Sequence, residues 1–135
     1  MTYPITFLEA ADGTALTKKF GPQGKSSYPH VFDFTSHIQE ISTPAQFRDA
    51  LKSHAKAHHC LLKGRIKRPL QHESRAGATN SHEPTDWVCL DIDGLPGISS
   101  PHDLVQAIEP LSQASYIQQA SCSMGVEPDK GLSMH

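Results

Sequence analysis

The stretch at residues 86–94 reads Asp-Trp-Val-Cys-Leu-Asp-Ile-Asp-Gly and decides the fold that the sequence predicts. Its apolar part, Trp87 to Leu90, is typical of a buried strand that ends in two carboxylates. Because side chains alternate between the two faces of a strand, Asp91 and Asp93 are expected on one face, with Ile92 directed into the core. The glycine that follows permits a sharp turn.

Asp91 and Asp93 form a candidate metal site. Two carboxylates on one strand face repel each other and lose solvation, and a divalent cation relieves both penalties. Oxygen ligands suit hard ions, so the pair is predicted to hold Mg²⁺ or Mn²⁺. A polar strand end that only caps the next loop is the alternative that the residues leave open.

Length and composition favour one soluble domain. The chain has 135 residues, enough for one core, and we predict a single domain over residues 1–135. A formal net charge of -2 means that any nucleic-acid site must be a local basic patch. Cys60, Cys89 and Cys122 lack metal-ligand spacing and fit a reducing cytosol. With no visible signal peptide and no apolar run that spans a membrane, we expect a cytoplasmic protein.

Two helices are predicted from their capping residues. The first is expected near residues 43–58, where Thr43 caps, Pro44 occupies the first helical position and Gln46 completes a capping box. The second is expected near residues 100–111, where Ser100-Pro101 makes the same start. Pro110 should end or distort its last turn.

Besides a short strand that begins near residue 59, four more strands are expected. They are an edge strand at residues 2–8, short strands at 31–34 and 115–121, and a returning strand at 132–135. Residues 71–85 are polar and predict a loop.

His54 and His58 stand four residues apart, a spacing also found between zinc ligands. No glutamate follows His54 in the metalloprotease pattern, and no third ligand is near in sequence. We therefore expect half-buried or exposed helix histidines here.

A basic cluster follows the first helix. Lys63, Arg65, Lys67 and Arg68 fall within six residues, and Arg75 lies a little beyond. If a short strand beginning near residue 59 continues, alternation places Lys63, Arg65 and Lys67 on one face. The cluster predicts either a grip on phosphates or an edge strand protected by charge.

The order of motifs resembles the catalytic core of the archaeo-eukaryotic primase superfamily, especially the primase-polymerases of plasmid and phage replication proteins. Their first motif is an apolar strand ending in Asp-x-Asp, matched by residues 88–93, and their second is Ser-x-His on a later strand, matched by residues 133–135. The serines and glycine at residues 121–125 and the Lys-Gly-Leu at residues 130–132 are also similar to what precedes the second motif. The likeness covers about residues 43–135.

This resemblance implies an α/β (α+β) core with a small mixed or antiparallel RRM-like sheet and flanking helices. It implies nucleotidyl transfer to a primer 3′ hydroxyl, with Asp91 and Asp93 holding Mg²⁺ or Mn²⁺. Ser133 and His135 would contact the incoming nucleoside triphosphate. Arg75 would contact the nucleotide, and the basic cluster at residues 63–68 would follow phosphates of a single-stranded or primed DNA template.

One feature of the family lies outside the match. Its third motif, a further acidic residue on a later strand, would follow His135. We therefore expect the chain to be an N-terminal fragment of the catalytic core, inactive or weakly active alone. Members of the family often continue into a helicase domain, which would be a partner in the longer parent protein.

Two other functions fit parts of the pattern. Haloacid-dehalogenase-type phosphatases also begin with an apolar strand and Asp-x-Asp-Gly, and there Asp91 would be the nucleophile. Their motif lies near the start of the fold, whereas here about two thirds of the chain precedes it. A non-catalytic RRM-like nucleic-acid-binding module is the other alternative, although such modules present aromatic side chains on the sheet face.

Overall fold

The strand Tyr3–Ala10 (β1) is the centre of the largest sheet in a computed structural model of the chain. The structure describes residues 1–120 and the backbone of Leu132–Met134. After β1 the elements run, in chain order, β2 (Phe20–Gly21), β3 (Gly24–Lys25), β4 (Asp33–Ile41), α1 (Pro44–Lys56), β5 (Cys60–Leu61), β6 (Arg65–Ile66), β7 (Glu73–Ser74), β8 (Thr79–Asn80), β9 (Ile92–Leu95), α2 (Pro101–Ala107), a 3-10 helix (Glu109–Leu111) and β10 (Leu132–Met134).

The architecture is α+β. Four strands form an antiparallel sheet in the order β5-β1-β4-β7, and three small antiparallel pairs join β2 to β3, β6 to β8 and β9 to β10. The predicted fold class, a small antiparallel sheet with helices near both capped positions, is therefore confirmed.

β1 is an interior strand, so the expected edge strand at residues 2–8 is wrong in its position. β1 pairs along its whole length with β4, and Phe7 and Leu8 also pair with β5. The run from Ile5 to Leu8 is buried without a break because core residues cover both faces. On one face Ile5 and Phe7 pack with Ile41 and Ala50. On the other, the core comprises Leu8, Ala10, Leu16, Phe34, Leu62, Leu70 and Ala78.

Both predicted helix starts are present. The Gln46 backbone N–H donates to Thr43 Oγ1, and the Gln46 side chain accepts from the Ser42 backbone N–H, one residue earlier than in a standard capping box. At the second helix the Asp103 backbone N–H donates to Ser100 Oγ. α2 ends at Ala107, before the 3-10 turn that contains the proline, as the sequence predicts.

The predicted buried strand from Trp87 to Leu90 is not formed. Thr85 Oγ1 donates to the Trp87 carbonyl at 2.6 Å, a local side-chain contact that competes with strand pairing at this position. Trp87 packs edge-on against Phe47, while Val88 is 65% exposed. The strand that carries the second carboxylate begins later, at Ile92.

Two other strand predictions need correction. Of the strand predicted at residues 115–121, residues 115–119 form no strand, Ala120 makes a single bridge, and Ser121 lies outside the described residues. Tyr116 is exposed, with its hydroxyl 3.4 Å from His102 Nδ1. The short strand predicted at residues 31–34 overlaps β4 only at Asp33 and Phe34, and β4 continues to Ile41. The polar loop predicted at residues 71–85 contains β7 and β8, each only two residues long.

The chain divides into two compact units, Met1–Val88 and Cys89–His135. The first contains the four-stranded sheet, both hydrophobic clusters and α1. The second contains β9, α2, the 3-10 helix and β10. Within the described part of the chain, no helix has the length and apolar character needed to cross a membrane.

Candidate functional site

The two predicted metal ligands lie at the start of β9 in the second unit. Asp91 immediately precedes the strand and Asp93 is its second residue. Both are exposed while Ile92 between them is half-buried, which is the alternation that the sequence predicts. Two carboxylates two residues apart along an extended segment offer oxygen ligands of the type that Mg²⁺ and Mn²⁺ prefer.

β10 lies beside this carboxylate strand. It pairs antiparallel with β9, with Ser133 opposite Asp93 and Met134 opposite Ile92. The backbone therefore brings the Ser-x-His strand next to the Asp-x-Asp strand. His135, the other predicted nucleotide ligand, lies outside the described residues.

A bulge at Gly94 separates two parts of this pairing. Leu132 is opposite Leu95 and Ser133 is opposite Asp93, so Gly94 is the extra residue on β9. Its φ of 69° is in the left-handed region, which glycine adopts without the steric cost of a Cβ. The glycine predicted to turn the chain after the carboxylates thus forms a bulge inside the strand.

Three of the predicted phosphate-binding cations line one cleft in the first unit. The cleft has a volume of about 480 Å³, and its basic lining residues are Lys63, Arg65 and Arg75. Polar side chains from the segment of β8 share this lining, namely Thr79, Asn80 and Ser81. Lys67 and Arg68 are exposed and lie outside the lining.

The expected single basic strand is not formed. Gly64, with a φ of 146°, separates β5 from β6, and the two strands join different sheets. Alternation along one strand therefore does not align Lys63, Arg65 and Lys67 on one face. The cleft instead collects Lys63 and Arg65 with the more distant Arg75, whose guanidinium lies 5.9 Å from the centroid of the Phe34 ring.

Two of the arginines are held by carboxylates. Arg65 Nη1 contacts Glu83 Oε1 at 2.8 Å, and its Nη2 contacts Asp86 Oδ2 at 3.0 Å. Arg68 Nη1 contacts Glu73 Oε1 at 2.7 Å, and this hydrogen bond lowers the pKa of the Glu73 carboxyl. Any phosphate at these guanidinium groups competes with existing acidic partners.

A second polar cluster, which the sequence reasoning missed, lies at the sheet of the first unit. Glu9 on β1, His37 on β4 and His59 just before β5 place one ligand-type atom each within 4.8 Å of the others. His37 Nε2 is 2.8 Å from Glu9 Oε2, and His59 Nε2 is 3.8 Å from the same oxygen. We call these three residues the Glu-His-His cluster.

The sheet register explains why these residues meet. Phe7 is opposite His37 on β4, so Glu9, two residues further along β1, is the diagonal neighbour of His37 on the same face. Leu8 is opposite Cys60, and continuing that register by one residue brings His59 opposite Glu9. The central strand thus presents a carboxylate between two imidazoles.

His54 supports the cluster from α1. Its ring stacks on Phe7 with centroids 3.8 Å apart, and its Nδ1 is 2.8 Å from His59 Nδ1. The rings of His37 and His59 stack on each other with centroids 4.8 Å apart. As expected from the sequence, His54 is half-buried and His58 is exposed. His58 follows the end of the helix with a φ of 62°, so the two histidines do not share a helix face.

The cluster shifts the ionisation of its members. Burial lowers the pKa of His54, and the charges of His59 and His37 lower it further. Burial also lowers the pKa of His59, helped by His37 and opposed by Glu9. The hydrogen bond from His37 is the main cause of the lowered pKa of the Glu9 carboxyl. The lowered pKa values favour the ionised form of the Glu9 carboxyl and the neutral forms of the His54 and His59 imidazoles.

Comparisons of the chain with protein-family models, with curated proteins and with solved structures each return no match. The functional assignment therefore depends on the residues themselves and on their geometry. The chain offers two places of distinct chemistry, the oxygen ligands at β9 and the nitrogen-rich cluster at β1, together with the basic cleft.

Proposed function

We propose that this chain carries the nucleotidyl-transfer centre of a primase-polymerase. Asp91 and Asp93 would hold Mg²⁺ or Mn²⁺, and the reaction would join a nucleoside triphosphate to a primer 3′ hydroxyl on a DNA template during replication of a mobile element. The observation that carries the proposal is the antiparallel pairing of β9 with β10, in which Ser133 is opposite Asp93.

This pairing matters because the two motifs must act on the same substrate. Directly opposed residues in an antiparallel pair have Cβ atoms about 4.5–5.5 Å apart. Positions this close can both reach one triphosphate with its bound ion. The resemblance, which assigns metal binding to Asp-x-Asp and triphosphate contact to Ser-x-His, requires such a neighbourhood.

The bulge at Gly94 is a second supporting observation. Bulges are frequent beside active sites because the extra residue bends the strand and re-aims nearby side chains. Here the extra residue directly follows Asp93. A bulge at this point means that β9 departs from regular pairing where it carries Asp93, which supports a functional role for the carboxylates.

The chemistry follows from the donor types. When bound, Mg²⁺ or Mn²⁺ would neutralise phosphate charge and activate the 3′ hydroxyl for in-line attack. The exposed carboxylates of Asp91 and Asp93 would orient the triphosphate. In the first unit, Lys63, Arg65 and Arg75 line one cleft, and their positive charge would attract phosphates of the template.

The partners that follow are nucleoside triphosphates and single-stranded or primed DNA, with a fused helicase in a longer parent protein. A cytoplasmic location agrees with these partners. Lys67 and Arg68, exposed outside the cleft, would extend the phosphate contacts along the template.

Nucleotide binding is the primary test, because it does not require a complete catalytic set. We would measure binding of a fluorescent dATP or ATP with Mn²⁺ to the chain and to Asp91→Asn and Asp93→Asn. Each variant should weaken Mn²⁺-dependent binding by at least about tenfold, the loss typical even for supporting metal-site residues. Asp103→Asn, an exposed acidic residue on α2 in the same unit, is the matched control and should bind normally.

Primer extension with Mn²⁺ and the same variants is the second measurement. Weak extension by the wild type that Asp93→Asn loses supports the proposal, and equal nucleotide binding by all four proteins contradicts it. Trapping of a phosphoenzyme on Asp91 would instead identify a phosphatase. Metal-independent binding of single-stranded DNA without nucleotide binding would identify a non-catalytic binding module.

A further inference from the structure

We propose that the Glu-His-His cluster of Glu9, His37 and His59 is a binding site for a divalent transition-metal ion, with Zn²⁺ the first candidate. This site is separate from the carboxylate pair at β9 and does not depend on the proposed function. Two imidazoles and one carboxylate are a known zinc ligand set that leaves coordination positions open.

The distances suit an ion of this kind. Ligands bonded to a tetrahedral zinc ion at about 2.0–2.1 Å lie about 3.3–3.4 Å from one another. Glu9 Oε2 is 2.8 Å from His37 Nε2 and 3.8 Å from His59 Nε2, so the two separations bracket that value. All three ligand atoms lie within 4.8 Å of one another, and rotations of the side chains would bring them to one ion.

An ion would replace a proton that the cluster already shares. His37 Nε2 and Glu9 Oε2 are within hydrogen-bond distance. When the neutral imidazole carries its hydrogen on Nε2, that N–H donates to the carboxylate. When His37 carries its hydrogen on Nδ1 instead, Nε2 and the carboxylate both present lone pairs to the same point. Metal ligation requires this deprotonated arrangement.

His54 is placed to set the tautomer of His59. The two Nδ1 atoms are 2.8 Å apart, so one donates and the other accepts. If His59 Nδ1–H donates to His54, the Nε2 of His59 presents its lone pair towards Glu9. Metal-ligating histidines usually donate their other ring N–H to such a partner, which makes His54 a positioning residue.

Exposure leaves room for the ion and for the remaining ligands. The side chains of Glu9 and His37 are 45% and 39% exposed, whereas His59 is only 13% exposed. The His37 and His59 rings are within 6° of parallel, so binding requires a tilt of the rings towards the ion. His37 has the space to tilt, and water can fill the open positions.

The chemistry of the donors favours Zn²⁺ over the ions expected at β9. Imidazole nitrogen suits Zn²⁺ and similar borderline ions, whereas Mg²⁺ prefers oxygen ligands and retains water. The ion would join β1, β4 and the segment before β5, three parts of the chain that are distant in sequence.

Zinc titration of the whole chain tests the site. We would measure Zn²⁺ affinity and stoichiometry by calorimetry for the wild type, Glu9→Gln, His37→Gln and the control His82→Gln. His82 is an exposed histidine of the same unit, so its variant controls for weak binding to scattered surface imidazoles. We expect one Zn²⁺ per chain in the wild type and the control, and a dissociation constant raised at least tenfold in the other two variants.

Cobalt absorption identifies the ligands. Co²⁺ at the cluster should give visible bands of a low-coordinate nitrogen and oxygen site without sulfur-to-metal charge transfer, which excludes Cys60 beside His59. Asp93→Asn should keep full Zn²⁺ affinity. Loss of Zn²⁺ binding in Asp93→Asn, a thiolate charge-transfer band, or equal affinity in Glu9→Gln and His82→Gln would overturn the proposal. Absence of stoichiometric binding in the wild type would overturn it as well.

His54→Phe tests the positioning role. Phenylalanine retains a ring to stack on Phe7 but removes the Nδ1 contact to His59. The Zn²⁺ dissociation constant should rise about 10- to 100-fold, as is typical for loss of a residue that orients a ligand. The melting temperature of the metal-free protein should change little, which a purely structural role of the imidazole would not produce. Unchanged Zn²⁺ affinity would show that His54 does not position His59. The titration of the Glu9 and His37 variants would still decide whether the three ligands bind the ion.

Discussion

Arg65 carries a positive charge suited to phosphate, and its side chain also forms ion pairs within the first unit. Its side chain is 23% exposed and contacts both Glu83 and Asp86. The two carboxylates lie in the segment that leads to Trp87, so these ion pairs link that segment to β6. A planar guanidinium can serve two acidic partners at once, and an ammonium group cannot reproduce this geometry.

We therefore expect Arg65→Lys to destabilise the protein although it preserves the charge. The loss should be about 1 kcal/mol, because both carboxylates are about half exposed and solvent screens such pairs. Urea denaturation followed by the fluorescence of Trp87 measures it. Lys67→Ala is the contrasting variant, with unchanged stability but a salt dependence of DNA binding lower by about one unit of log–log slope. Full stability in Arg65→Lys would mean that the two contacts contribute nothing measurable.

The residues of the Glu-His-His cluster show the limit of sequence reasoning at this scale. Glu9, His37 and His59 are far apart in sequence, and no sequence motif connects them. They meet only because β1 pairs with β4 and β5 in one particular register. The carboxylates at β9 could be predicted because two aspartates two residues apart need only an extended backbone to share a face.

The helices were predictable because their signals are local. Thr43 and Ser100 each accept a hydrogen bond from a backbone N–H three residues later, and a proline follows each cap. These contacts depend on four consecutive residues and not on the rest of the fold. β4 was mostly missed because its middle is polar and its strand conformation depends on pairing with β1.

Thr43→Ala should therefore destabilise α1. Loss of the cap leaves the Gln46 N–H without its side-chain acceptor, at a cost of about 1 kcal/mol in the free energy of unfolding. Thermal and urea denaturation measure the change. Ser53→Ala, at an exposed interior position of the same helix, should be neutral or slightly stabilising because alanine has the higher helix propensity. An equal loss in both variants would show that the effect is not one of capping.

At the scale of the whole molecule, the division after Val88 could not be read from composition. No proline-rich or glycine-rich linker marks it, and the apolar residues around it predict a continuous strand. The structure instead uses Trp87 in the first unit, against Phe47 of α1. As far as the chain is described, the hydrophobic clusters around β1 consist of residues of that unit.

A polypeptide of residues 1–88 should therefore fold by itself. It retains the four-stranded sheet, α1 and both clusters, which provide a core covered on two sides. Its single tryptophan should show the blue-shifted emission of a packed ring and should unfold in one cooperative transition. A matched polypeptide that carries Phe7→Ala should lose about 3–5 kcal/mol of stability. Non-cooperative unfolding of the wild-type polypeptide would contradict autonomous folding.

The interior place of β1 also has a consequence for biosynthesis. The ribosome makes β1 before β4 and well before β5, with about fifty residues between Ala10 and Leu61. At about 5–20 residues per second, the nascent chain exposes the run from Ile5 to Leu8 for several seconds before its last partner strand exists. During translation this segment is a natural binding site for chaperones, and slow elongation across residues 11–61 would raise the yield of aggregates.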